Sequence, residues 1–186
     1  MLIAFNKPFG VACKFSPAPD RKTLADYIDI RSVYPAGRLD TDSEGLLLLT
    51  DDGVLQARIA EPKHEIEKVY WAQVEGSPSL PALDELRKGV SLGDFTTQPA
   101  NANLMEAPQA LWPRDPPIRY RARIPTAWIK LTIREGKNRQ VRRMTARVGF
   151  PTLRLIRAAI GKVSVEGLAP GTWRQIGPDA PWGGRR

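Results

Sequence analysis

The sequence predicts an α+β fold, in which strands and short helices alternate irregularly along 186 residues. Residues 68–74 and 129–134 alternate between two faces along the chain, which is typical of strands. Helix patterns at 78–88 and 138–148 follow them without the regular spacing of βαβ units. A doubly wound parallel sheet is therefore not expected.

The N-terminal third is expected to contain short elements of both types. The strand patterns lie at residues 2–5, 32–34 and 46–50. A first short helix is expected over residues 23–28. The turn at residues 51–53 can cap a second helix that extends to about Arg58.

The remainder of the chain is expected to continue the same mixture. After the strand at 68–74, the helix at 78–88 ends at Gly89. The five prolines of 107–125 indicate an ordered surface loop or crossover, which can be a hinge between two subdomains. Later strands are expected at residues 153–160 and 163–165. We therefore expect one domain over residues 1–177 and a disordered tail over residues 178–186.

The composition restricts the classes of partner and chemistry. Lys plus Arg number 28 against 20 Asp plus Glu, and the resulting net charge of +8 predicts a polyanionic partner. Apolar runs such as residues 46–49 are far shorter than a membrane span, and no signal peptide is recognisable, so a cytoplasmic protein is expected. One cysteine and one histidine exclude an internal disulfide and a Cys/His metal cluster.

A cluster of arginines marks the predicted helix at 138–148. Arg139, Arg143 and Arg147 are spaced four residues apart and share a helix face, where like charges repel. No Asp or Glu occurs between Gly136 and Arg157. A solvated basic face is one interpretation, and a face that binds RNA phosphates is the favoured one.

A glycine-bounded turn at residues 37–45 supplies the candidate catalytic acid. It presents the Asp40 carboxylate beside the buried strand at 46–50, the rigid support that a catalytic group requires. An ordinary acidic surface turn is the alternative. A second alternative is a nuclease whose Mg²⁺ is held by Asp40, Asp42 and Glu44.

Residues 37–40, Gly-Arg-Leu-Asp, together with residues 45–53 resemble the signature of the RsuA branch of pseudouridine synthases. Three further segments match family motifs in the same order, and another completes the set. They are residues 6–10, 68–70, 135–144 and 155–161. Because the matches begin almost at Met1, the S4-type RNA-binding domain usual in this branch is expected to be absent.

The resemblance implies a fold and an activity. The implied fold is the pseudouridine synthase catalytic fold, a mixed, largely antiparallel sheet with flanking helices around a central RNA cleft. The implied reaction converts uridine of ribosomal RNA, with large-subunit (23S) RNA expected, to pseudouridine without cofactor or metal. The family also implies a monomer. A non-catalytic RNA-binding protein remains the main rival interpretation.

The resemblance also assigns the reaction to three residues. Asp40 is the essential carboxylate, which either attacks ribose C1′ or removes the 2′ proton. Arg142 is expected to pair with Asp40 and to keep it ionised. Tyr70 matches the tyrosine that stacks on the uracil and can take the C5 proton, although a core strand tyrosine is the alternative.

The other expected site residues bind the RNA. Arg38 would enter the RNA stack when the target uridine flips out, with a salt bridge to Asp42 or Glu44 as its alternative. Leu155 would form an apolar wall for the detached base. The remaining substrate-binding candidates are Lys68, Asn138, Arg139, Gln140 and Arg143.

Overall fold

A computed structural model of the chain describes residues 1–119, 121 and 123–183. The chain is divided into two compact units. The first unit combines Met1–Ile66 with Arg157–Arg186, and the second is the continuous segment Glu67–Ile156. The chain therefore leaves the first unit and returns to it.

The first unit is built on a buried N-terminal strand. Strand β1 (Leu2–Lys7) pairs antiparallel with β3 (Glu44–Thr50) and with β9 (Trp173–Ile176). A short strand, β2 (Tyr34–Pro35), pairs with β3 as well. All six residues of β1 and all seven of β3 are buried, which explains why residues 2–5 and 46–49 are continuous apolar runs rather than alternating patterns.

One regular helix belongs to the first unit. Helix α1 (Gly53–Ala60) begins after Asp52, whose carboxylate accepts hydrogen bonds from two main-chain N–H groups of the first turn, as the sequence predicts. The helix expected over residues 23–28 is only a 3₁₀ turn at Leu24–Asp26. Leu24 is fully buried in a cluster with the β1 side chains, so packing rather than helix propensity determines this segment.

The second unit contains a three-stranded antiparallel arrangement. Strand β6 (Thr126–Ile133) pairs with β4 (Lys68–Glu75) on one side and with β5 (Asn101–Met105) on the other. Residues along β4 alternate between buried and half-buried, so the period of two read from the sequence is confirmed.

Two helices belong to the second unit. Helix α2 (Leu80–Lys88) is capped by Ser79 and ends at Gly89, as expected. Gly89 has a φ of +100°, and a Cβ there would lie 2.5 Å from the carbonyl oxygen of Thr97, so only glycine fits. Helix α3 (Gln140–Arg147) follows Arg139, which adopts the left-handed conformation.

Strand β7 (Thr152–Ile160) crosses the boundary between the units in sequence. Its C-terminal end pairs antiparallel with β8 (Val163–Ser164). The described residues thus contain nine strands and three α-helices, and an isolated parallel bridge joins Ala12 to Thr23. This confirms the α+β class with a mixed, largely antiparallel pattern.

The segment at residues 107–125, which was expected to be a surface loop or crossover that can be a hinge, falls within the second unit. Apart from residues 120 and 122, which lie outside the described residues, this segment connects β5 to β6 within the second unit. Arg114 donates a hydrogen bond to the carbonyl oxygen of Leu153 (3.3 Å), and Arg121 forms an ion pair with Glu75 (3.0 Å). The prolines exclude regular structure here, but the segment stays attached to its own unit.

Part of the tail that was expected to be disordered from residue 178 has regular local structure. Ala180–Trp182 forms a 3₁₀ turn, and the carbonyl oxygen of Pro181 accepts a hydrogen bond from Lys162 N (2.9 Å). The guanidinium of Arg58 lies 4.1 Å from the centre of the Trp182 ring. Residues 184–186 lie outside the described residues.

Candidate active site

The loop that carries the candidate catalytic acid, residues 37–45, is bounded by two glycines in the left-handed region. Gly37 has a φ of +84° and Gly45 a φ of +101°, conformations that are costly for other residues. Between them, Ser43 N donates to the carbonyl oxygen of Asp40 (3.0 Å) and closes a turn. The turn holds Asp40 half-buried, neither in the core nor fully in solvent.

The Asp40 loop is held to neighbouring segments of the first unit. The carbonyl oxygen of Thr41 accepts a hydrogen bond from Gly10 N (2.8 Å), which ties the loop to the motif at residues 6–10. Arg157 donates from Nε to the carbonyl oxygen of Leu46 (2.8 Å) and from Nη1 to that of Arg38 (3.4 Å). The backbone on both sides of Asp40 is therefore fixed to structure outside the loop.

Three charged side chains are buried in this unit. Lys7 is 0%, Glu44 1% and Arg157 3% exposed. The Lys7 ammonium donates to two main-chain carbonyl oxygens of the turn that follows it. Burial lowers the pKa of Lys7 from 10.5 to about 8, although Cys13, Glu44 and Asp42 act in the opposite direction.

Arg38 extends from the loop into solvent. Its side chain is exposed, and among the described residues it forms no ion pair. The alternative of a salt bridge to Asp42 or Glu44 is therefore wrong for this part of the chain. An unengaged guanidinium can both stack on a base and bind a phosphate.

In the second unit, Tyr70 lies on β4 and is 8% exposed. It shares the buried face of the strand with Lys68, which is 7% exposed, and with Ala72. The Tyr70 hydroxyl has no hydrogen-bond partner among the residues that the structure describes. The hydroxyl is not one of the buried polar atoms that lack a partner, so it reaches solvent although the ring is buried, and it is available to a ligand.

Two further candidates are fixed within the second unit. Arg142 lies half-buried on α3 and donates from Nη1 to the carbonyl oxygen of Thr152 (3.3 Å). Leu155 lies on β7 and is 5% exposed, an apolar side chain on a regular strand. Both side chains therefore belong to rigid elements.

The charge balance of the basic helix differs from the sequence-based expectation. Arg143 forms an ion pair with the carboxylate of Asp94 and donates to the carbonyl oxygen of Leu92 (2.9 Å). This hydrogen bonding lowers the pKa of Asp94. The missing acid thus comes from the connection between α2 and β5. Phe95 lies in the same connection. The centre of its ring is 3.8 Å from the Lys137 ammonium and 5.2 Å from the Arg143 guanidinium.

The remaining substrate-binding candidates lie at the turn before α3, where one side chain is buried and two are exposed. Gln140 is buried, donates to the Glu135 carboxylate (2.6 Å) and accepts from Lys137 N (3.0 Å). These contacts shape the turn. Because the Gln140 side chain is buried, it is not accessible for the substrate-binding role expected of it. Asn138 and Arg139 are exposed.

The acidic residues of the Asp40 loop do not form a recognisable metal site. Glu44 is buried on β3, and Asp40 and Asp42 are half-buried. Among the described residues, no group of three or more His, Cys, Asp or Glu side chains is arranged to hold a metal ion. Within the same part of the chain, the helices are too short and too polar to cross a membrane.

Sequence reasoning did not predict the burial of Lys7 and Arg157 or the ion pair of Asp94. Arg157 interrupts an apolar strand pattern, and Lys7 ends one, so a charge at such a position is a usable signal for a buried charged group. Asp94 gives no such signal, because only the fold places it beside Arg143.

Comparison with known proteins links these features to a known group. The family model "RNA pseudouridylate synthase" matches residues 1–147. The ribosomal large subunit pseudouridine synthases E of Xanthomonas campestris and Vibrio parahaemolyticus are 54% and 53% identical to the chain, each over 94% of it, and the matches cover 94% and 73% of those proteins. A crystal structure of a pseudouridylate synthase is 30% identical with a TM-score of 0.78, covering 95% of this chain and 70% of that one.

Proposed function

Because the chain belongs to the RNA pseudouridylate synthase family, we propose that it converts a uridine of large-subunit ribosomal RNA to pseudouridine. The proposed RNA class follows from the relatives that are 53% and 54% identical, which are named ribosomal large subunit pseudouridine synthases E. Assignment to the RsuA branch is part of the proposal and rests on the motifs at residues 37–53 and 135–144.

The observation that carries the proposal is the environment of Asp40. Its carboxylate is half-buried in a loop that glycines shape and that hydrogen bonds fix on both sides. A catalytic carboxylate needs such positioning, because small displacements of a reacting group reduce the rate strongly. An acidic surface turn would not require these constraints.

The reaction requires few chemical groups. The bond between N1 and C1′ breaks, the uracil is reoriented, and a bond forms between C5 and C1′. C5 then loses its proton and N1 gains one. Substrate and product are isomers, so electrons balance without an oxidant or reductant. A nucleophile or base at the ribose and a proton acceptor near C5 are sufficient.

We assign these roles by resemblance to the family. Asp40 acts at the ribose, either on C1′ or on the 2′ proton, and both routes require the ionised carboxylate. Arg142 is assigned by the family motif as the cationic residue of the active site. Tyr70 stacks on the uracil and accepts the C5 proton, which is consistent with a hydroxyl that has no partner among the described residues.

RNA binding is proposed to use the exposed cations. Arg38, which has no ion pair in the described part of the chain, takes the place of the flipped uridine in the stack. Asn138 and Arg139, which are exposed, and Arg143, which is half-buried, contribute to substrate binding, and Leu155 contacts the detached base. Lys68 is 7% exposed, so like Gln140 it lacks an accessible side chain for the substrate-binding role expected of it. We further propose that the protein is a cytoplasmic monomer.

The test is a pseudouridine map of ribosomal RNA from a strain that lacks the gene. We expect one or a few sites to be missing from large-subunit RNA, to return with the wild-type gene and to stay missing with Asp40→Asn. An unchanged map, or restoration by Asp40→Asn, would overturn the proposal. Expression of each variant is confirmed by immunoblot, so that loss of protein is not mistaken for loss of catalysis.

The rival functions give different outcomes in the same system. A non-catalytic assembly protein would leave the map intact while ribosome profiles change. A Mg²⁺ nuclease built on Asp40, Asp42 and Glu44 would cleave RNA and lose activity with EDTA. Isomerisation by the purified protein in the presence of EDTA rejects both.

A further inference from the structure

We infer that Arg157 is a positioning residue that sets the location of Asp40 through the backbone of its loop. The inference rests on the proposed function for its catalytic meaning, and its structural part can be tested without activity. Arg157 does not belong to the proposed set of catalytic or RNA-binding residues.

Arg157 is hydrogen-bonded to the backbone on both sides of Asp40. One guanidinium donates to the carbonyl oxygen of Arg38 (3.4 Å) and, through its Nε, to that of Leu46 (2.8 Å). These two carbonyls lie two residues before and six residues after Asp40. The planar fork of arginine therefore holds both ends of the segment that carries the carboxylate, and lysine has no equivalent geometry.

The Arg157 side chain is almost completely buried. Arg157 is 3% exposed, and its Nη2 is buried without a hydrogen-bond partner among the described residues. Burial of a guanidinium that is incompletely satisfied destabilises the folded state, and an apolar side chain of similar size would pack at this strand position at lower cost. Stability alone therefore does not explain an arginine here, whereas control of the loop backbone does.

The burial of Arg157 also excludes a role in binding RNA at the protein surface. A side chain that is 3% exposed cannot contribute a phosphate contact on the outside of the unit. Loop residues Asp40 and Arg38 are half-buried and exposed, respectively, so they remain accessible while Arg157 supports them from below. Arg157 therefore acts on the reaction through the loop.

The experiment compares Arg157→Gln and Arg157→Lys with Arg87→Gln as a control. Arg87 is half-buried on α2 and also donates from Nε to a main-chain carbonyl oxygen, that of Ala102 (2.9 Å), and its other side-chain hydrogen bonds are to Asp84 and Asn103 of the same unit. All variants are compared with wild type by circular dichroism, by kcat and KM on an RNA substrate, and by amide hydrogen exchange.

We expect both Arg157 variants to lower kcat by about 10²-fold, the effect of misplacing a reacting group by about 1 Å, with KM changed by less than about twofold. Amides of residues 39–45 should exchange faster in these variants and at the wild-type rate in Arg87→Gln. If Arg157→Gln does not fold, Arg157→Lys, which retains the charge, gives the same comparison.

Three results would overturn the inference: unchanged kcat in both Arg157 variants, an equal kcat loss in Arg87→Gln, or unchanged exchange of the loop amides. A failure of the proposed function can be told apart from a failure of this inference. In the first case the wild-type protein would be inactive, while the difference in amide exchange between wild type and the Arg157 variants would still report whether Arg157 holds the loop.

Discussion

The buried Lys7 ammonium gives a prediction whose size follows from the structure. Burial lowers its pKa from 10.5 to about 8, so charging this group inside the protein costs about 3 kcal/mol more than charging it in the unfolded chain. The variant Lys7→Met removes the titrating group and retains an unbranched side chain of similar length. We expect it to remove one specific component of the pH dependence of stability.

The direction of this component follows from proton binding. Between pH 8 and pH 10.5 the unfolded chain keeps the Lys7 proton, whereas the folded protein has released it. The free energy of unfolding therefore rises with pH in this interval. Below pH 8 both states are protonated and the full cost of burial is present, and above pH 10.5 this cost is absent.

The assay is urea unfolding of wild type and Lys7→Met at a series of pH values from below 8 to 10.5. The difference in unfolding free energy between them should change by about 3 kcal/mol across the series, in favour of wild type at high pH. Cys13 influences Lys7, so the pair is also measured in a Cys13→Ser background. Parallel pH profiles in that background would refute the reasoning.

Three further outcomes are expected. Asp94→Asn should strengthen RNA binding at low salt, because it frees Arg143 from its ion pair, and should make the salt dependence steeper by about one phosphate contact. Gly161→Ala should destabilise the protein by more than about 2 kcal/mol, because its Cβ would lie 1.9 Å from a carbonyl oxygen, whereas Gly167→Ala, with open space around it, should cost about 1 kcal/mol through backbone strain alone. Tyr70→Phe should keep the stability of wild type but reduce kcat by about 10²-fold or more, because only the proton acceptor is lost.

Each of these has a direct check. Asp94→Asn is measured by RNA titration at several salt concentrations, and an unchanged affinity would show that Arg143 does not contact RNA. The two glycine variants are compared by urea unfolding, and equal costs would contradict the close approach at Gly161. For Tyr70→Phe, a wild-type kcat would remove the hydroxyl from the mechanism, while a large loss of stability would show that it is bonded.

Much of the strand framework could be predicted from the sequence, because local patterns coincide with burial. Strands β1, β3, β4, β6 and β7 follow apolar runs or alternation, and α1 and α2 carry their capping residues in the sequence. Gly89 was correctly predicted as the end of α2, since its conformation is one that glycine alone tolerates.

The elements that were missed lack such local signals. Strand β5, with the sequence Asn-Ala-Asn-Leu-Met, has only Ala102 fully buried, and β9 has no fully buried residue, so neither shows a strong alternation. Both lie at the ends of the strand order, where only one neighbour constrains the side chains. The turn at Ala180–Trp182 depends on contacts with Lys162 and Arg58, which are distant in sequence.

In the candidate site as well, features with a local sequence signal were predictable, and contacts between distant residues were not. The turn around Asp40 was predictable because two glycines and a buried strand define it locally. The ion pair between Arg143 and Asp94 joins residues 49 positions apart, and the hydrogen bond from Arg157 to Arg38 spans 119 positions. Such long-range contacts depend on how the strands pair, which the local sequence pattern does not specify.

The central claim, that Asp40 carries out uridine isomerisation, is tested most directly with purified protein and ribosomal RNA labelled with tritium at C5 of uridine. Formation of the bond between C5 and C1′ releases this hydrogen to water. We expect release by wild type, release within a few-fold of wild type by Asp42→Asn in the same loop, and none above background by Asp40→Asn. Equal release by Asp40→Asn and wild type would contradict the account.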